Sequence, residues 1–152
     1  MKVWREVLTK NFILMIIAMI ICGTAQMAVN TNSAAYAVGV LGLEQARFGT
    51  VVAIAGMVVV VLYPLLGILC DKMRHGLCGA IGGILLAAGF ILYMQSTGFA
   101  SLTIARCIQM SGFGFVINAA LSIAAASVRP EIRSIAMTLY GLGPALSYFT
   151  GP

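Results

Sequence analysis

The stretch FGTVVAIAGMVVVVLYPLLGILC, from Phe48 to Cys70, carries no charge over 23 residues and is followed at once by Asp71 and Lys72. As a helix it would be about 35 Å long, enough to cross a hydrocarbon core about 30 Å thick. It lacks the alternating apolar and polar pattern of an outer-membrane barrel strand, so a helix, which pairs its own backbone groups, is the spanning element it predicts. Four more uncharged segments of spanning length flank it: Asn11 to Leu43, Gly76 to Ala105, Cys107 to Val128, and Ser134 to the end. The fold class is therefore all-α, a polytopic transmembrane helix bundle.

Composition agrees. Of the 152 residues 61% are hydrophobic and only 9% charged, and the mean hydropathy is +1.05. Roughly 55–60% of an ordinary soluble surface is already apolar, which leaves such a chain no place to hide its excess in water. The lipid bilayer is its solvent. Basic residues mark the orientation: Lys2, Arg5 and Lys10 precede the first segment, Lys72 and Arg74 follow the second, and Arg129 and Arg133 follow the fourth. The other two loops hold only Arg47. This alternation predicts a multi-pass protein of the cell (inner) membrane with a cytoplasmic N-terminus. The net charge of +5 then reports topology and anionic headgroups, and no concentrated basic surface exists for nucleic acid. The first segment lacks a small-residue cleavage site and is read as a retained helix.

The helices are expected over about 12–30, 48–70, 77–94, 102–128 and 133–152, in a single domain spanning residues 1–152. Asn30, Thr31, Asn32 and Ser33 mark the outer end of the first, and Trp4 sits where an interfacial anchor belongs. The short loop from Asp71 to Gly76 predicts that the second and third helices are antiparallel neighbours, and Arg129–Pro130 breaks the fourth. Gly79 and Gly83, with Gly76 and Ala80 overlapping, form a small-residue pattern for close helix packing.

Polar residues inside these segments are the candidate functional groups. Arg106 lies in an apolar segment, where a charge costs about 2.5–3.5 kcal/mol on insertion scales. Gln109 follows one turn later on much the same side, which predicts a polar cluster facing the bundle interior rather than an arginine snorkelling outward. Gln26 and Asn30, four apart, share a face of the first helix and could line a cavity or simply bond to a neighbouring helix; Asn118 is a weaker case of the same kind. Cys22, Cys70, Cys78 and Cys107 have no C-x-x-C spacing and are expected to be small packing residues, and one histidine completes no metal site. The methionines are read as gap fillers. No nucleophile and base, no phosphate loop, no metal and no cofactor are indicated, so an enzyme is not expected.

Two stretches carry a family resemblance. Gly67, Asp71 and Lys72 match the first half of the loop signature G-x-x-x-D-[RK]-x-G-[RK]-[RK] of the major facilitator superfamily, with Arg74, His75 and Gly76 departing from its second half. Leu102, Arg106, Gln109, Gly112 and Gly114 fall at the spacing of that family's helix-four signature L-x-x-x-R-x-x-Q-G-x-G-x-G, with Met110 in place of the first glycine. Tyr63, Pro64 and Gly67 also look like its R-P-x-x-G ending of helix two. The family is built from twelve helices in two halves that rock about a central site, so the chain resembles the first five helices: either a truncated or split gene product, or a fragment whose remainder lies elsewhere.

The resemblance implies a secondary transporter moving a small-molecule substrate by alternating access. It implies gating by Asp71, an acid that in whole members helps hold the two halves together on the cytoplasmic side; without a second half its partner would have to be a local base such as Arg129 or Arg133, and the plain alternative is a solvated Asp71–Lys72 loop pair. It also implies a role for Arg106 in proton coupling or in stabilising the cavity. Protons are the expected coupling ion, although no acid occurs within the first or fourth helix. Gly141, Gly143, Pro144, Gly151 and Pro152 look partly like the antiporter pattern, with Ser147 in one glycine position, and point to efflux over uptake. The alternative is a small accessory or scaffolding membrane protein that packs through Gly79 and Gly83 without transporting anything itself. A complete small multidrug exporter is disfavoured, because the first helix lacks a membrane-buried glutamate.

Overall fold

A computed structural model describes residues 7–150, all of whose regular structure is helical. Lys2, Trp4 and Arg5, and Gly151 and Pro152 of the antiporter-like pattern, lie outside the described residues. The helices are α1 (Lys10–Gly39), α2 (Gln45–Lys72), α3 (His75–Met94), α4 (Phe99–Ala126), α5 (Arg133–Tyr140) and α6 (Leu142–Thr150), with a 3-10 turn over Pro130–Ile132 before α5. Helices α1 to α4 are each long and apolar enough to cross a membrane.

Local chemistry sets the ends. Thr9 caps α1, its hydroxyl oxygen accepting from the Phe12 amide at 3.3 Å. The helix does not stop at Asn30 but continues to Gly39. The polar run is accommodated because its side chains bond to α1's own backbone: Asn32 donates to the Ala28 carbonyl at 2.8 Å and Ser33 to the Asn30 carbonyl at 2.8 Å. The α1–α2 turn passes through Gly42 at φ 64°, a conformation open to glycine without a Cβ penalty. In place of one fifth helix, α5 and α6 meet at Gly141. Pro144 has no amide hydrogen to extend α5 and its ring disfavours a straight continuation.

Helix α4 is the centre of the bundle, packed on α3, α2 and α1, while α6 lies along α1. Although the turn between them is short, α2 and α3 share little contact along their length; each takes α4 as its main neighbour. The close approach of α3 to α4 runs through Gly82, Gly89 and Gly112. A Cβ on Gly82 would come within 2.6 Å of the Phe115 Cβ, and one on Gly89 within 2.6 Å of the Gln109 nitrogen. Gly79 and Gly83 are not that seam: a Cβ on Gly83 meets nothing within 4 Å, and one on Gly79 would make an ordinary 3.6 Å contact with Ala119.

Two apolar cores result. One gathers Phe12, Met19, Ala120, Ala124, Ala136 and Tyr140, and the other Ala37, Val51, Tyr93, Leu102 and Ala105. A third, small cluster holds Cys70, Cys78 and Ala119. The expectation that all four cysteines merely pack is corrected here: Cys70 and Cys78 are joined in a disulfide, their Cα atoms 5.8 Å apart, while Cys22 and Cys107 are free. The short loop between them brings the end of α2 to the start of α3, as its length predicts; that the two side chains face each other there is set by the rotation of each helix and not by spacing.

Candidate functional site

Along α1 the order is Met19 in the first core, then Gln26 and Asn30, then Ala37 in the second; along α4 it is Leu102 and Ala105 in the second core, then Arg106 and Gln109, then Ala120 in the first. The two helices therefore bring their polar residues together between two apolar plugs. Arg106 is 4% exposed, Gln26 1% and Gln109 0%. One guanidinium nitrogen of Arg106 donates to the Gln109 side-chain oxygen at 2.7 Å, and the other donates to the side-chain oxygen of Asn30. Gln26 donates to that same Asn30 oxygen at 3.4 Å and to the Met110 sulfur at 3.3 Å. The arginine is thus held by neutral amides, with no carboxylate at either bond. Three atoms of the cluster, Gln26 Oε1, Arg106 Nε and Gln109 Nε2, are buried without a hydrogen-bond partner. Buried polar atoms left without partners are rare and costly, and a buried charge inside a membrane bundle marks function by default.

Asn118 does not join this group. Its side chain donates to the Gly114 carbonyl of its own helix at 2.9 Å, and it stands beside Gly67, where a Cβ would lie 3.8 Å from its oxygen. The two helix-four glycines serve different neighbours. A Cβ on Gly112 would reach 2.8 Å from the Leu85 carbonyl carbon of α3, and one on Gly114 would reach 2.9 Å from the Tyr63 ring of α2. The signature spacing therefore clears α4 on two sides at once.

Beside the cluster lies a cavity of about 150 Å³ between α1, α4, α5 and α6, walled chiefly by Met19, Met27, Phe113, Ile117, Tyr140 and Tyr148. Met27 links the two places, since its sulfur accepts from the Asn30 amide at 4.0 Å. The Tyr140 hydroxyl is buried without a partner. Sequence reasoning passed over this wall, taking the methionines for filler; only the meeting of α1, α4 and α6 singles out these residues from the others.

At the far end of α2, Asp71 and Lys72 are both exposed. An exposed acid in the aqueous layer would gain little from an ion pair. The loop closes through its backbone instead, the Met73 amide bonding to the Leu69 carbonyl at 3.0 Å and the Cys78 amide to the Arg74 carbonyl at 3.1 Å. Among the described residues no group of histidine, cysteine, aspartate or glutamate has the arrangement of a metal site.

No curated protein and no solved structure shows significant similarity to the chain. The family model described as Major Facilitator Superfamily matches residues 1–152, the whole length. That match, together with four apolar spans around a buried polar cluster, establishes that the chain belongs to the major facilitator superfamily, a family of membrane transporters and not of enzymes.

Proposed function

We propose that the chain supplies the first helices of an alternating-access transporter that exports a small, largely apolar solute against a flow of protons. The observation that carries this reading is Arg106, 4% exposed and bonded to Asn30 of α1 and Gln109 of α4, with Asn30 in turn bonded to Met27, which lines a cavity of about 150 Å³ further along the same two helices. A cation kept in that position at insertion cost, with an unpartnered nitrogen, suits a site whose polar partners change during a cycle. The cavity wall of methionine and aromatic side chains suits a polarisable apolar solute, and the lone Tyr140 hydroxyl offers it one hydrogen bond.

The family's design places a solute site between two halves, so further helices would form the facing wall, and the proton carrier would come from them or from the solute site they complete. Export is favoured by the Gly143–Pro144 pair, which lies just after the α5–α6 break. The basic loops argue for a cytoplasmic N-terminus, with Gly67, Asp71 and Lys72 as the gating loop on that side and Gln26 and Asn30 as cavity groups.

The test is solute movement in sealed membrane vesicles with an imposed pH gradient. Vesicles holding the chain alone are compared with vesicles in which it is joined to the coding sequence that follows it. Movement of a lipophilic dye is expected in the second and not in the first, and is lost with Arg106→Ala or on adding a protonophore. Movement in neither preparation refutes transport. Gradient-dependent movement by the chain alone, abolished by Asp71→Asn, refutes the need for further helices, and movement indifferent to the protonophore refutes proton coupling.

A further inference from the structure

Cys70 ends the apolar part of α2 and Cys78 lies in the first turn of α3, and the seven residues between them include Asp71, Lys72 and Arg74, all three exposed. The Cα separation of 5.8 Å lies within the range a disulfide spans without moving backbone. Both side chains are fully buried, beside Ala119 and Phe115 of α4. Of the four cysteines only these two are placed to pair. On the basic side of the membrane, which the charge pattern assigns to the cytoplasm, thiols are held reduced and disulfides are transient and redox-sensing.

We propose that Cys70 and Cys78 are a redox modification site: a thiol pair that a small-molecule disulfide oxidises, with the bond so formed restraining the loop that carries Asp71 and Lys72. The exchange balances within the pair and its oxidant. One cysteine thiolate attacks a sulfur of the reagent R–S–S–R, forming a mixed disulfide and releasing one RS⁻. The second thiolate then displaces the other RS⁻, and the two leaving groups take up the two protons the cysteines lost. The cysteines are oxidised and the reagent is reduced to two thiols; a dithiol reverses both steps. Because both sulfurs are buried, reagent reaches them when the ends of α2 and α3 part, so the bond forms on an opened loop and holds it closed. The restraint of the loop matters to transport only if the gating reading of Asp71 and Lys72 holds; the bond itself does not depend on that reading.

Trypsin reports both parts of the proposal on the full chain in detergent, because Lys72 and Arg74 lie inside the ring that the disulfide closes. After treatment with oxidised glutathione, the pieces on either side of a cut at Lys72 or Arg74 should stay joined on a non-reducing gel and separate with dithiothreitol. Cutting at the loop should be several-fold slower than in the reduced chain. Cys70→Ser and Cys78→Ser should show neither effect, and chain alkylated with N-ethylmaleimide while reduced serves if either variant fails to fold. Pieces that separate without reductant after oxidation overturn the site. Pieces that are already joined on the non-reducing gel without any oxidant, in chain whose free thiols were blocked with N-ethylmaleimide at cell lysis, show a fixed structural bond and overturn the redox role. Joined pieces with an unchanged cutting rate overturn the restraint. Loss of dye movement in the vesicle assay would leave all three readouts untouched.

Discussion

Replacing Gly112 with alanine is expected to push α3 and α4 apart, whereas the same change at Gly83 is expected to disturb nothing. At Gly112 the added Cβ would overlap the Leu86 amide nitrogen and sit 2.8 Å from the Leu85 carbonyl carbon and 2.9 Å from the Gly82 carbonyl oxygen, all of them backbone atoms that have no rotamer to escape into. At Gly83 it would meet nothing within 4 Å. Both positions lie well inside long helices, so the gain of about 0.5–1 kcal/mol from replacing a helical glycine by alanine is common to the two and cancels in their difference. What remains is the cost of overpacking, about 1–3 kcal/mol. Parting the seam by 0.5–1 Å also forfeits about a quarter to a half of each dispersion contact across it. Folded fraction during titration with a denaturing detergent, measured for both variants side by side, reads that difference. If Gly83→Ala loses as much stability as Gly112→Ala, the seam is misassigned and the Gly79/Gly83 pattern is the packing face after all.

Arg106→Ala should lower stability by about 1.5–3 kcal/mol, the range for hydrogen bonds to a charged group. Arg47→Ala, at an exposed site, should stay within about 0.5 kcal/mol; thermal unfolding in detergent compares them, and equal losses would remove Arg106 from the buried cluster. Gly42→Ala should cost about 1 kcal/mol from its φ of 64° alone, since its Cβ would touch nothing within 4 Å; the same titration checks it, and a neutral result would mean that the turn relaxes. With the four cysteines replaced by serine, a cysteine at exposed Gln95 should react with a membrane-impermeant maleimide in intact cells, and one at exposed Arg74 only after the membrane is opened. The opposite pattern would invert the orientation.

Much of the fold is legible in the sequence, because lipid imposes one demand on the spans: almost no charge over enough residues to cross, with Arg106 of α4 the exception that is buried among amides. Phe48 to Cys70 satisfies it, and α2 duly covers that stretch. The contact between Arg106 and Gln109 is also legible, since three residues of helix separate neighbours on one face. Its completion by Asn30 is not, because nothing in either helix states how they are rotated about each other. The same limit explains why Gly79 and Gly83 stand out in the sequence while Gly82 and Gly89 make the close approach to α4. Small-residue spacing shows that a face could pack closely, and the partner helix decides which face does. Asn30 to Ser33 look like a helix end because polar residues favour interfaces, yet their bonds to α1's own carbonyls let the helix run on. The short Asp71–Gly76 loop announces that the chain folds back there, but the pairing of Cys70 with Cys78 also depends on how each helix end is rotated, which the spacing does not state.

The bareness of α4 at Gly112 and Gly114 has a mechanical consequence. Where backbone meets backbone or a ring sits on a bare backbone, a joint has no compliant layer, and α2, α3 and α4 should travel as one stiff plate. The contact of α1 and α6 with that plate is different around the cavity, where Met19 and Met27 are unbranched side chains that reshape at little cost. Gly23 against Ser147 pins α6 to α1 as a second rigid piece. The protein is thus assembled like two boards with a soft gasket between them, and movement within this part of the transporter is to be sought at the methionines.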